Sequence, residues 1–300
     1  MLRWRLPLGF LIIAALVGLF WLDHWLEQLT EVPGIALAPV LLGFVVLGSR
    51  EMLQLSRAAG VQPVAWSVYL GSLLVATSSW APLLWRRFAC SEPHDAANLP
   101  VQWILLALGA ALILVFAAEM RRYEKPGGVA VNAAAAVFAI VYVGLLLGFL
   151  VQLRLAWGLG ALASLLIVVK MGDTGAYAVG RLFGRHKMAP RLSPGKTIEG
   201  AVGAVVFASA ASWATCSWLL PVVRPTQASP GPWWGWLVFG LVVGGAGMLG
   251  DLAESLIKRD ARQTESSDWM PGFGGVLDIL DSALLAAPVA YACWALGLVG

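Results

Sequence analysis

The stretch that decides the fold is residues 155–177, which read LAWGLGALASLLIVVKMGDTGAY. It is mostly apolar, and about 20 such residues suffice for a helix to cross a bilayer. Near its end it carries the carboxylate of Asp173. A charge beside a membrane span is costly to bury and marks a functional candidate. The alternative is a helix-end Asp whose carboxylate is simply hydrated.

The rest of the chain repeats this pattern. Of its 300 residues, 59% are hydrophobic and 12% are charged. In a soluble domain, about 45–50% of the residues are hydrophobic and about 25% are charged. We therefore expect an all-α, polytopic integral membrane protein with about nine transmembrane helices. The predicted spans are residues 7–22, 35–53, 63–84, 101–118, 128–151, 155–177, 198–220, 234–257 and 282–299.

Lys and Arg residues predict the orientation of these spans. The N-terminal stub and the second, fourth, sixth and eighth loops are rich in them, and the first, fifth and seventh are poor. Only the third loop blurs the alternation. Because basic loops stay on the cytoplasmic side, we expect a multi-pass protein of a bacterial-type inner membrane, with its N-terminus inside. The polar segments 173–199 and 251–281 then share the cytoplasmic side.

A polar turn precedes the seventh predicted span. Residues 192–200 read LSPGKTIEG, where Pro and Gly favour a tight turn. Ser193, Lys196 and Thr197 offer hydroxyls and a positive charge, and backbone amides at a helix start can face an anion. The turn suits phosphate binding, although an ordinary basic interfacial turn would look the same.

Two pairs of acids follow in the last third of the chain. Asp251 and Glu254 are three residues apart, as are Asp278 and Asp281, so on a helix each pair shares one face. Like charges this close repel unless a cation lies between them, and carboxylate oxygens suit Mg²⁺. The alternative is that these acids are solvated or paired with neighbouring basic residues.

Two blocks together resemble the phosphatidate cytidylyltransferases, also called CDP-diacylglycerol synthases. The first runs from DTGAY at 173–177 to SPGKT at 193–197. The second runs from SLIKRD at 255–260 to PGFGGVLDILDS at 271–282. Before these blocks, only EMLQLSR at 51–57 is similar to a family segment.

The resemblance implies transfer of a cytidylyl group from CTP to phosphatidate or a related lipid phosphate, with Mg²⁺ as cofactor. It implies catalytic roles for Asp251, Asp278, Asp281, Lys258 and Arg259, the three aspartates also binding the metal. It places Asp173, Ser193, Lys196 and Thr197 at the substrates.

The expected organisation is one membrane domain, with N-terminal helices in residues 1–125 and a catalytic region in 126–300. Membrane lipids are expected partners and nucleic acid is not. A homodimer is left open.

The chain departs from the family pattern at a few positions. Thr264-Glu265 stand where the family usually has Lys-Asp, Phe273 where it has His, and Ile279 where it has Arg. These changes remove positive charge from a site that handles phosphates. The family reading is therefore an active, divergent enzyme, and a catalytically impaired homologue is its alternative.

Two other classes compete with this reading. A transporter would also place carboxylates in the membrane, but it would not need both polar blocks on one side. The CDP-alcohol phosphotransferases use a different acidic motif, whose final aspartates are four residues apart rather than three.

Overall fold

The structure is a computed structural model that describes residues 2–88, 100–223, 231–267 and 274–300. Of residues 2–13, 86–88 and 100 it describes the backbone only. The described chain is almost entirely helical. Its helices are α1 (Leu2–Thr30), α2 (Leu37–Ala58), α3 (Ala65–Thr77), α4 (Ala81–Phe88), α5 (Pro100–Arg122), α6 (Val129–Ala139), α7 (Leu146–Phe183), α8 (Ile198–Ala214), α9 (Leu220–Val223), α10 (Trp233–Asp260) and α11 (Val276–Ala295).

Seven helical segments of the described chain are long and apolar enough to cross a membrane. This confirms the prediction of a polytopic, all-α membrane protein. One of the seven, Val129–Phe183, has 55 residues and would be far longer than a bilayer if straight. It is broken at Gly158, whose φ of 78° is outside the helical region. It covers two predicted spans, 128–151 and 155–177, and the total of nine stays a prediction.

Two apolar cores hold the helices together. One is built mainly from α2, α3, α5, α6 and the first half of α7. The other is built from the rest of α7 with α8, α10 and α11. Helix α11 contributes to both, through Leu284 to the first and Ala287 to the second. It therefore lies at the junction of the two cores. The boundary near residue 125 stays a prediction.

Two local features differ from expectation. The polar turn belongs to a two-stranded antiparallel hairpin, β1 (Lys187–Ala189) and β2 (Ser193–Thr197). Helix α11 starts at Val276, six residues before the predicted span. Asp278 and Asp281 therefore lie within its first two turns.

Candidate active site

The first part of the site joins the hairpin to α10. Lys196 on β2 forms an ion pair with Asp251 on α10, with 2.7 Å between Nζ and Oδ2. Their side chains are 21% and 36% exposed, but the Nζ atom of Lys196 is itself buried. Two residues predicted from separate motifs are thus brought into contact.

The second part joins α7 to α11. Lys170 Nζ lies 3.2 Å from Asp173 Oδ2 and donates to the carbonyl oxygen of Ile279 at 3.2 Å. The hydroxyl of Ser282 lies 3.3 Å from Asp173 Oδ1 and 3.1 Å from Asp281 Oδ1. Asp173 and Asp281 thus share one hydroxyl neighbour.

Close packing of α10 on α11 brings these two parts together. A Cβ at Gly250 would collide with the carbonyl oxygen of Asp281, so only glycine permits this approach. Asp251 follows Gly250 directly and interacts electrostatically with Asp281, as do Lys170 and Asp173. Side chains from β2, α7, α10 and α11 therefore form one polar cluster.

The third part lies deeper and is held together by a lysine. Lys258 Nζ lies 2.8 Å from Glu254 Oε2 and 2.6 Å from Asp278 Oδ1. Glu254 is 1% exposed, and Lys258 and Asp278 are 12% and 13% exposed. Burying a carboxylate alone would be costly, and the one ammonium group contacts both acids. The other oxygen of Glu254, Oε1, is buried and has no hydrogen-bond partner among the described residues. The sequence suggested a cation within the pair Asp251 and Glu254 or the pair Asp278 and Asp281. The structure instead places an ammonium group between one member of each pair, Glu254 and Asp278.

Asp278 has further partners at the start of α11. Its Oδ2 accepts hydrogen bonds from the amide of Gly275 at 2.7 Å and from the amide and hydroxyl of Ser266 at 2.9 and 2.5 Å. With Lys258 on Oδ1, both carboxylate oxygens are engaged. Asp278 therefore joins the loop before α11 to the end of α10.

Other predicted site residues lie in or near the hairpin. The Oγ1 of Thr197 accepts from the amide of Gly200 at 3.1 Å and so caps α8. Ser193 begins β2 and is partly exposed. Arg259 is exposed and donates to the carbonyl of Leu192 at 3.2 Å, which ties the hairpin to α10. These contacts give Thr197 and Arg259 structural tasks; their roles toward substrate stay predictions.

The positions that depart from the family pattern are placed as follows. Thr264 and Glu265 are exposed in the segment after α10. Ile279 is partly buried, and its carbonyl is the one that Lys170 contacts. Phe273 lies outside the described residues, together with Pro271 and Gly272 of the same motif.

Several residues in or beside the cluster were not among the predicted site residues, among them Lys170, Ser266 and Tyr142. Lys170 is one turn before Asp173, a spacing that could have indicated it. Tyr142 lies in a π-helical turn, Ile140–Leu145, a feature frequent at functional sites. Its side chain is 5% exposed and interacts electrostatically with Glu254, Asp281 and Asp251. Within the described chain, its hydroxyl has no hydrogen-bond partner.

The carboxylates of the site meet the needs of a metal ion only in part. Among the described residues, no group of three or more His, Cys, Asp or Glu side chains could hold a metal. Mg²⁺ needs only one or two carboxylates beside water and phosphates. Asp251 and Asp281 fit that requirement, since each has one oxygen that accepts no hydrogen bond from the described residues. Asp278 fits it poorly because both of its oxygens are engaged.

Comparison with known proteins places the chain in a family. Residues 4–296 match the model of the cytidylyltransferase family. The phosphatidate cytidylyltransferase of Bacillus subtilis is 28% identical over 251 residues, which cover 82% of this chain and 84% of that protein.

Two other relatives match over shorter stretches. The enzyme of the same name from Staphylococcus saprophyticus is 36% identical over 159 residues, 53% of this chain and 57% of that protein. The one from Mycobacterium leprae is 38% identical over 162 residues, 53% of this chain and 49% of that protein. The chain thus spans about half the length of these two relatives. Because the family model covers nearly all of it, the chain belongs to the cytidylyltransferase family.

Proposed function

We propose that this protein transfers the cytidylyl group of CTP to phosphatidate, giving CDP-diacylglycerol and pyrophosphate. Family membership supports this activity, and so do the names of the three relatives. The observation that carries it is the cluster formed by Lys196, Asp251, Lys170, Asp173 and Asp281. It combines cations for phosphate with carboxylates for a metal, and it is assembled from both motif blocks.

The reaction needs little covalent chemistry from the protein. An oxygen of the lipid phosphate attacks the α-phosphorus of CTP, and the bond from that phosphorus to the leaving pyrophosphate breaks. The attacking phosphate is already an anion, so no protein nucleophile is required. The protein's tasks are to align the two phosphates and to neutralise their charge.

The cations of the site divide into two groups. Lys170 is 51% exposed, and Arg259 is exposed beside the hairpin, so these two can reach phosphates. The Nζ atom of Lys196 is buried beside Asp251, and its charge acts on the site from there. Lys258 is held between Glu254 and Asp278, so we assign it the task of keeping those buried carboxylates in place.

Mg²⁺ is part of this proposal. Asp251 and Asp281 would hold it, with substrate phosphate oxygens and water completing its shell. When bound, the ion would neutralise charge on the phosphates during the transfer. Asp278 then acts by fixing the first turn of α11, which leads into the turn that carries Asp281.

The cytoplasmic placement of the site is a further part of the proposal. It follows from the alternation of basic loops and agrees with the location of CTP. Single cysteines in the segments 181–196 and 256–268, in a background without the three native cysteines, should both react with a reagent only from the cytoplasmic side. Labelling of either segment from outside would contradict a shared cytoplasmic site.

The test of the activity is an assay of purified protein in detergent with labelled CTP, Mg²⁺ and a panel of lipid phosphates. The panel should include phosphatidates of different acyl chains and a prenyl phosphate. We expect label in the lipid fraction with phosphatidate. Transfer only to another lipid phosphate would correct the acceptor, and no transfer to any would favour the impaired homologue.

A further inference from the structure

A buried carboxylate outside the polar cluster has a distinctive set of partners. Glu51 lies near the end of α2 and is 2% exposed. Within the described chain, no ion pair compensates its charge. Its carboxylate instead accepts hydrogen bonds from the amides of Val276 and Leu277, both at 2.9 Å. It also lies 3.1 Å from the hydroxyl oxygen of Ser266, whose single proton is donated over the shorter distance to Asp278. Its whole carboxylate thus faces the start of α11.

These contacts satisfy the first turn of α11. The first amides of a helix have no partner within it, and a side chain of the N-cap residue usually accepts from one. Here the N-cap is Gly275, which has no side chain. Asp278 accepts from the amide of Gly275, and Glu51 accepts from the next two. The partial positive charge of the helix start also stabilises these two anions.

The contact depends on the absence of a side chain at position 275. A Cβ built on Gly275 would collide with the carboxylate of Glu51 and with the hydroxyl of Ser266. The φ of Gly275 is −99°, which other residues adopt readily. Space therefore explains the glycine here.

We propose that Glu51 is a positioning residue: it caps α11 from α2 and so sets where the first turns of α11 hold Asp278 and Asp281 in the site. This inference rests on the proposed function, because it gives the anchored residues a task in cytidylyl transfer. It also means that the amides of Val276 and Leu277 are taken by the protein itself. Substrate phosphate is bound by the lysines of the cluster and not by this helix start.

The structure offers a matched control in Asp23. This residue is also fully buried and also accepts a backbone hydrogen bond, from Ala36 at 3.0 Å, and it pairs with Arg154 at 2.8 Å. Ala36 lies fifteen residues before Glu51, about 22 Å along a helix. Asp23→Asn therefore perturbs a buried carboxylate, one that has an ion pair, far from the first turn of α11.

The experiment compares Glu51→Gln with Asp23→Asn in the purified full chain. In Glu51→Gln, the side-chain NH₂ group replaces one carboxylate oxygen and faces a backbone N–H of α11. One of the two hydrogen bonds to the amides of Val276 and Leu277 is therefore lost. We expect kcat to fall about 10- to 100-fold, the usual cost of removing a residue that orients a ligand, with the KM for phosphatidate unchanged. Asp23→Asn should lower kcat only in proportion to any lost stability. Glu51→Asp, which keeps the charge, should fall between wild type and Glu51→Gln.

Hydrogen exchange supplies a readout that does not depend on activity. In Glu51→Gln, the peptide covering 274–281 should exchange faster, while the second half of α11 should not change. If its exchange stays at the wild-type rate, or if kcat falls no further than in Asp23→Asn at equal loss of stability, the positioning role is wrong. A wild-type protein without cytidylyl transfer would refute the proposed function, while the exchange result would still decide whether Glu51 caps α11. If Glu51→Gln does not fold, the same comparison is made with Glu51→Asp.

Discussion

Asp278 and Asp281 are one turn apart on α11, yet the structure predicts opposite effects for their replacement. Asp278 accepts from Lys258, Gly275 and both donors of Ser266. Asp281 accepts only from Ser282 among the described residues and interacts with the like charges of Asp251 and Asp173. Loss of Asp278 should therefore destabilise the protein, and loss of the charge on Asp281 should mainly abolish the reaction.

The size of the first effect follows from the partners. Asp278→Ala leaves Lys258 its ion pair with Glu254, but it removes the acceptor of the Gly275 and Ser266 amides. One unsatisfied buried donor costs about 1–3 kcal/mol, so Asp278→Ala should lower the free energy of unfolding by about 2–6 kcal/mol. Ser266→Ala, which removes one hydroxyl donor but keeps the amide, should lower it by about 1–3 kcal/mol. The two variants thus remove different numbers of hydrogen bonds from the same carboxylate, and their losses of stability should differ accordingly.

The second effect concerns activity. Asp281→Asn keeps an oxygen for the Ser282 bonds and removes a negative charge from an acidic surrounding. Its stability should stay within about 0.5 kcal/mol of wild type, as for most changes that leave packing intact, or rise. Turnover should be lost, because the amide is a poor ligand for a hard cation.

Both effects are measurable with the same samples. Unfolding in mixed micelles can be followed by the fluorescence of the fifteen Trp residues, and transfer from labelled CTP can be measured well below the unfolding transition. If Asp278→Ala were as stable as wild type, the contacts assigned to its carboxylate would be wrong. If Asp281→Asn kept wild-type turnover, Asp281 would not be a site residue.

Two further predictions concern the cations. Lys196→Met should raise the KM for CTP about tenfold, the size of one charge-assisted contact. The protein should lose little stability, because the partner Asp251 is partly exposed. The control is Lys187→Met, which removes an exposed lysine from the paired strand; an equal rise in its KM would show that only the general positive charge matters. Lys170→Met should lower kcat. Adding Ile279→Arg should restore part of the lost kcat, because Lys170 donates a hydrogen bond to the carbonyl oxygen of residue 279. If the double variant showed no gain, Lys170 would not supply the positive charge that the family has at position 279.

The membrane spans were predictable because their signal is local. A run such as 155–177 is apolar enough to be recognised without knowing its neighbours. The start of α11 was predicted too late, since Asp278 and Asp281 lower the hydropathy of its first turns. The helix can begin there because Glu51 and Asp278 cap its amides, a compensation that the sequence does not display.

The candidate site was predictable as a set of residues but not as a set of contacts. Because Asp278 and Asp281 are three residues apart, the sequence placed them on one face of a helix. It could not reveal that Lys258 compensates Asp278, or that Asp251 pairs with Lys196 from the hairpin. Glu51 is 225 residues from Val276, and no local pattern connects them. The hairpin was missed because Pro194 and Gly195 indicate a turn without indicating which strands pair.

The central claim is that the α-phosphorus of CTP, with its nucleoside, moves to the lipid phosphate. The most direct measurement uses two samples of CTP, one labelled at the α-phosphorus and one at the γ-phosphorus, with purified protein, Mg²⁺ and phosphatidate. The account predicts that the α label enters the lipid and that the γ label is released as pyrophosphate, in equal amounts, with neither seen in Asp281→Asn. Label from the γ-phosphorus in the lipid, or no label in the lipid from either sample, would contradict it.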